Sequence, residues 1–260
     1  MSDPLQPNPY RAPAFGPADN ERMIPAGHVV LVVGLLLLLL APLFGLISSL
    51  LSGGWTPALD SHRIILTDVL LSLLLLGAVL LLGLSRRYNW ERFGFWMPAG
   101  TDFVFVAGIF VISFLLQPLF MFGFDPSSDE AAVLREGFFA AYHPGGVLVF
   151  ELLVVLSLVV LTPLFEEVAF RGVIFGWARQ RLGFVESALF SALVFAAFHS
   201  AYIDTLGPFW GLRAMAMIFT LGFLSALLFE RTGSLIAPTA MHALFNVQAV
   251  LPLLTEQPAA

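Results

Sequence analysis

From Val29 to Leu51 the chain carries no charged residue. At 1.5 Å rise per residue, a helix of that length crosses the roughly 30 Å hydrocarbon core of a bilayer. No other feature constrains the fold as much, because a backbone in lipid must satisfy its own hydrogen bonds, as a helix does. Six further apolar stretches follow: Ile64–Leu84, Phe103–Phe124, Val147–Ala178, Phe184–Ser200, Leu212–Phe229 and Ser234–Leu254. The expected fold class is all-α, a polytopic transmembrane helical bundle of about seven membrane helices. Composition agrees: charged residues are 12% of the chain, about half the share of a soluble domain, too few to cover a globular surface in water.

The flanks set the expected organisation. Residues 1–27 are polar and proline-rich, the composition of a disordered tail. Residues 28–146 hold the first three stretches, and 147–254 hold the remaining four. No cleavable signal peptide is expected, since the first apolar run is longer than an h-region and starts late. Placing the N-terminus in the cytoplasm puts Arg11, Arg22, Arg86, Arg87, Arg92, Arg179, Arg181 and Arg231 inside. Arg63, Arg135 and Arg213 then lie outside, with the acidic loop of Asp125, Asp129, Glu130 and Glu136. The expected location is a cell inner membrane, multi-pass, with the lipid bilayer as first partner. All 12 basic residues are arginine, a bias expected of a GC-rich bacterial genome. A net charge of −6 argues against a nucleic-acid partner. With no cysteine there is no thiolate nucleophile and no Cys metal site.

The Val147–Ala178 stretch is interrupted by Phe165-Glu166-Glu167-Val168-Ala169-Phe170-Arg171-Gly172 just after Pro163, which is expected to kink or break the helix. Ionisable groups within a membrane cost about 2.5–3.5 kcal/mol each on insertion scales and mark function by default. Glu166, Glu167, Arg171, His199, His242 and Asn246 all qualify. Glu167 and Arg171 are i,i+4 and can pair. Glu166, about 100° around the helix, is expected to point elsewhere and remain free. His242 and Asn246 are again i,i+4. Counted from the cytoplasmic edges of their helices, Glu166 and His199 both lie roughly 22 Å deep, and His242 and Asn246 roughly 14 and 20 Å. Three helices are thus expected to bring these groups to one level. Asp68 and Glu151 read as groups near outer helix ends, in reach of water; His28, His62 and His143 read as solvated; Phe195 reads as packing for His199.

A carboxylate, two imidazoles and an amide around a small polar cavity can hydrolyse an amide bond. Glu166 is the expected general base towards water, and His199 can hold that water and pass a proton. His242 and Asn246 carry N–H donors suited to an oxyanion. Glu167 and Arg171 support the motif helix. Zinc is the rival account, with Glu166, His199 and His242 as ligands and an open position for water. In that account Glu167 would have to be the base, and Arg171 is placed to quench it. No cofactor is therefore favoured.

Glu166-Glu167-x-x-x-Arg171, Phe195-x-x-x-His199 and His242-x-x-x-Asn246 resemble the three motifs of the CPBP (Abi) intramembrane proteases, a family that includes type II CAAX prenyl endopeptidases and bacteriocin-processing enzymes. The settings agree: Pro163 before the glutamates, Gly172 after Arg171 and Pro238 before His242. The resemblance spans Val147 to Val250. It implies a catalytic membrane domain over 147–254 with its site open to the cytoplasmic side. By position, Glu166 and His199 would activate water, His242 and Asn246 would form the oxyanion hole, and Glu167 and Arg171 would support them, in glutamate-dependent, metal-free chemistry. It also implies a peptide or protein substrate that is lipidated or membrane-anchored. Two other readings of the same residues are a proton-coupled transporter, with Glu166 and the histidines as a relay, and a non-proteolytic immunity or binding member of the family.

Overall fold

The structure, a computed structural model, describes residues 27, 40–51, 60–84, 94–125 and 127–255. Residues 1–26 of the expected tail, residues 29–39 of the first apolar stretch and the arginines at 11, 22, 86, 87 and 92 lie outside the described residues. Eight helices are described and no strand: α1 Leu40–Leu51, α2 Asp60–Leu84, α3 Asp102–Phe120, α4 Asp129–Tyr142, α5 Leu148–Arg179, α6 Phe184–Phe198, α7 Ala201–Thr232 and α8 Ile236–Thr255.

Among the described residues five of these, α2, α3, α5, α7 and α8, are long and apolar enough to cross a membrane. The expected count of about seven is not confirmed beyond these five. α6 has only 15 residues, about 22 Å of helix, and α1 is described only from Leu40. The outer surface is that of a lipid-facing bundle: Val104, Leu115 and Leu119 of α3 are exposed although strongly apolar, which is stable only where the solvent is hydrocarbon.

α5 lies at the centre, packed against α2, α6 and α8. It continues as one helix past Pro163, so the expected break does not occur. Two π-helical segments, Val155–Leu161 and Val168–Phe175, are built into it. In the first, the Thr162 N–H bonds the Ser157 carbonyl five residues back. This wider turn gives the proline ring room and lets α-helical geometry resume at Thr162. Phe165, Phe170, Phe175, Phe195 and Phe229 fill the core around it.

Local signals close the other elements. The Ser128 side chain caps α4 by accepting from the Ala131 N–H. Gly207, at φ 74° and ψ 167°, breaks α7 just before Pro208. Gly233, at φ 66°, ends α7 in a left-handed cap. Gly94 approaches that cap so closely that a Cβ there would lie 2.4 Å from the Gly233 carbonyl oxygen. Its own carbonyl accepts from the Leu235 N–H, which fixes where α8 starts.

Candidate active site

α5 presents Glu166 and Glu167 from the α-helical turn between its two π-segments, and α8 presents His242. All three are buried, as is Arg171. Glu167 Oε2 lies 3.0 Å from Arg171 Nε, an ion pair held by charge rather than by an aligned hydrogen bond. Arg171 Nη2 donates to the Gly222 carbonyl of α7 at 3.1 Å, and the guanidinium carbon stands 4.7 Å from the centre of the Phe195 ring. A buried cation thus receives an anion, a carbonyl and an aromatic face, which offset its removal from water.

The imidazole of His242 sits between the two carboxylates. Its Nδ1 is 3.0 Å from Glu167 Oε1, and its Nε2 is 3.7 Å from Glu166 Oε2. Glu166 is therefore not the unpartnered group expected from helical spacing. The 100° separating adjacent side chains lets the two carboxylates flank a ring that a third helix inserts between them. Because a carboxylate only accepts, the His242 Nδ1 carries a proton and donates it to Glu167.

His199 follows the last residue of α6. Its Nδ1–H donates to the Phe195 carbonyl at 2.8 Å, which leaves Nε2 with the lone pair. The Phe195 ring packs on both histidines, with centroids 4.8 Å from His199 and 5.9 Å from His242. Asn246 goes elsewhere. Its amide nitrogen donates to the Leu158 carbonyl of α5 at 2.8 Å. The structure therefore joins Glu166, Glu167, Arg171 and His242 directly, brings His199 to them through Phe195, and turns Asn246 toward the π-segment.

Beside Glu166 lies a cavity of about 430 Å³, within the range of small-ligand sites. Leu71 and Leu75 of α2, with Phe165 and Phe198, give it apolar walls; Asp68, Ser72, Tyr142, Thr162 and Glu166 give it polar ones. Asp68 accepts from the Ser157 hydroxyl at 2.7 Å, tying α2 to the π-segment. Tyr142, outside the spanning segments, has its phenol pushed up from its ordinary range by burial first and by the Asp68 charge second, so it stays a donor. Sequence reasoning left Asp68 out. Depth could have found it: Glu166 at roughly 22 Å from one face leaves about 8 Å to the other, and Asp68, four residues into its apolar stretch, lies roughly 6 Å in from that face. His62 also departs from expectation. It is buried, stacked on Phe150 at 3.7 Å, and bonded to the Pro144 carbonyl.

Among the described residues no three His, Asp or Glu side chains converge as a metal-ligand set. Of the residues a zinc account would need, His242 gives its Nδ1–H to Glu167 and so keeps Nε2, 3.7 Å from Glu166 Oε2, as the atom that would face a metal. Residues 148–248, from α5 into α8, match the family model of the Rce1-like type II CAAX prenyl endopeptidases, consistent with the CPBP resemblance of the motifs. No curated protein and no solved structure matches the chain.

Proposed function

We propose that this chain is an intramembrane endopeptidase of the CAAX-protease type, hydrolysing a peptide bond near the membrane surface with water activated by Glu166. The observation that carries the reading is the Glu167–His242–Glu166 arrangement, with Glu166 on the wall of a cavity. Glu166 takes a proton from water as the oxygen attacks the carbonyl carbon. His199 holds that water through its free Nε2. His242, oriented by Glu167, donates an N–H to the developing oxyanion. As the tetrahedral intermediate collapses, the C–N bond breaks and the proton on Glu166 passes to the leaving nitrogen, so acid and amine products account for the water consumed. Asn246 gives an amide N–H to the Leu158 carbonyl and is not used in this set. The substrate is a membrane-anchored or lipidated peptide, which the lipid-facing bundle would meet by diffusion in the plane of the bilayer.

Glu166→Gln tests this. In detergent or nanodiscs the variant should keep the wild-type melting temperature and lose cleavage of membrane-anchored peptides by at least about 10²-fold, the lower end of general acid–base contributions. Near-normal cleavage by the variant would remove Glu166 as the base. Proton-coupled flux in liposomes without any cleavage by the wild type would favour the transporter reading instead.

A further inference from the structure

Pro163 leaves a gap in α5. The Thr162 N–H bonds the Ser157 carbonyl, five residues back. In that register the next rung would run from residue 163 to Leu158, but proline has no N–H to give. A buried carbonyl without a donor costs roughly 1–3 kcal/mol in protein interiors, and in a membrane there is no water to replace it. The donor found there is the Asn246 side-chain amide, 2.8 Å from the Leu158 oxygen. It arrives from α8, one turn beyond His242. Glu166 is three residues past the proline.

We infer that Asn246 is a positioning residue, whose side-chain amide replaces the backbone N–H that Pro163 lacks and so holds the turn of α5 carrying Glu166 in register with His242. Two features support this over a role in which the amide meets the substrate. The Leu158 carbonyl has an identifiable reason to be unpartnered, and the bond joins the same two helices, α5 and α8, whose spacing sets the 3.7 Å between Glu166 and His242. Pro163 and Asn246 then form a couple. The proline keeps the wide turn from closing into ordinary α-helix, and the amide makes that turn stable in lipid. The activity arm of the inference rests on the endopeptidase reading; its stability arm does not.

A double-mutant cycle on the purified full chain reads both arms. Asn246→Ala should lower the melting temperature and reduce kcat about 10- to 100-fold with KM nearly unchanged, as expected when a buried bond that orients a catalytic group is lost. Pro163→Ala restores an N–H at position 163. In that background the cost of Asn246→Ala should shrink to within about threefold in kcat, and its effect on melting should largely vanish, the coupling expected of residues that share one partner. Equal costs in the two backgrounds would overturn the inference and return the amide to the substrate. Should Pro163→Ala fail to fold, Asn246→Leu decides: it is close in size but has no donor at all, so it should melt as low as Asn246→Ala, and a wild-type melting temperature would overturn the proposal. Glu166→Gln, run alongside, separates the two readings. If the wild type cleaves nothing, or Glu166→Gln still cleaves, the protease reading fails while the melting cycle still decides the role of Asn246.

Discussion

Glu167 has two partners that pull on different oxygens, Arg171 on Oε2 and His242 on Oε1. Removing its charge strands a guanidinium that is fully buried. Glu167→Gln should therefore destabilise the protein by about 3–5 kcal/mol, the usual cost of breaking a buried pair from one side. Adding Arg171→Met should recover most of that loss, since replacing both members by uncharged groups of similar volume is often neutral. Thermal melting of the two variants checks the pair of expectations. An unchanged melting temperature in Glu167→Gln would mean that Arg171 is already neutralised by other groups. The double variant should melt normally and still cleave poorly, because an amide oxygen in place of the carboxylate holds the His242 N–H more weakly.

At the scale of elements, the site depends on how closely α6 and α7 approach. A Cβ on Gly222 would lie 3.1 Å from the Phe195 ring and 3.2 Å from the Ala192 Cα, and the Gly222 carbonyl is a partner of Arg171. Phe195 in turn packs on both histidines. Gly222→Val forces branched methyls into that contact, so it should separate the helices and cost about 1–3 kcal/mol by overpacking. Cleavage should fall more steeply than stability, because Phe195 transmits the shift to both imidazoles. Melting and kcat measured on one preparation test this; a folded variant with wild-type kcat would show that Phe195 is not positioning either ring. The π-segments belong to this scale too. Nothing in the residue pattern of Val147–Ala178 distinguishes a wide turn from an α-turn, since both faces of a central membrane helix are apolar. The proline within the stretch predicts a kink or break when its ring and missing N–H are weighed without the helix that compensates them.

For the molecule as a whole, the proposed metal-free chemistry rests on the arrangement of charges. With His242 held through Nδ1 by Glu167, and Glu167 held by Arg171, a zinc-bound Glu166 would have no base beside it. Dialysis of the reconstituted protein against a strong chelator should leave cleavage within about twofold, and bound zinc should be well below one per chain. Loss of activity restored by zinc alone would reverse that assignment. The same scale explains the missed cavity. Asp68 belongs to α2, outside the region of motif resemblance, and only the packing of α4 on α2 and of α2 on α5 places it on the wall that Glu166 shares.

Hydropathy, being a sum over local residues, determined by itself that the chain forms apolar helices in a membrane and that Glu166, Glu167, Arg171, His199, His242 and Asn246 are the groups that need explaining there. Helical spacing also determined the Glu167–Arg171 pair, because i,i+4 geometry is internal to one helix. The partners across helices were not legible. That His242 stands between both glutamates, that Asn246 reaches Leu158, that His62 is buried against Phe150, and that Asp68 enters the site all depend on the rotation and crossing of helices distant in sequence. Those are set by side-chain packing at interfaces and by the need of each buried polar group to find a partner once water is gone. Only the folded bundle, where all such demands are met at once, decides which groups pair.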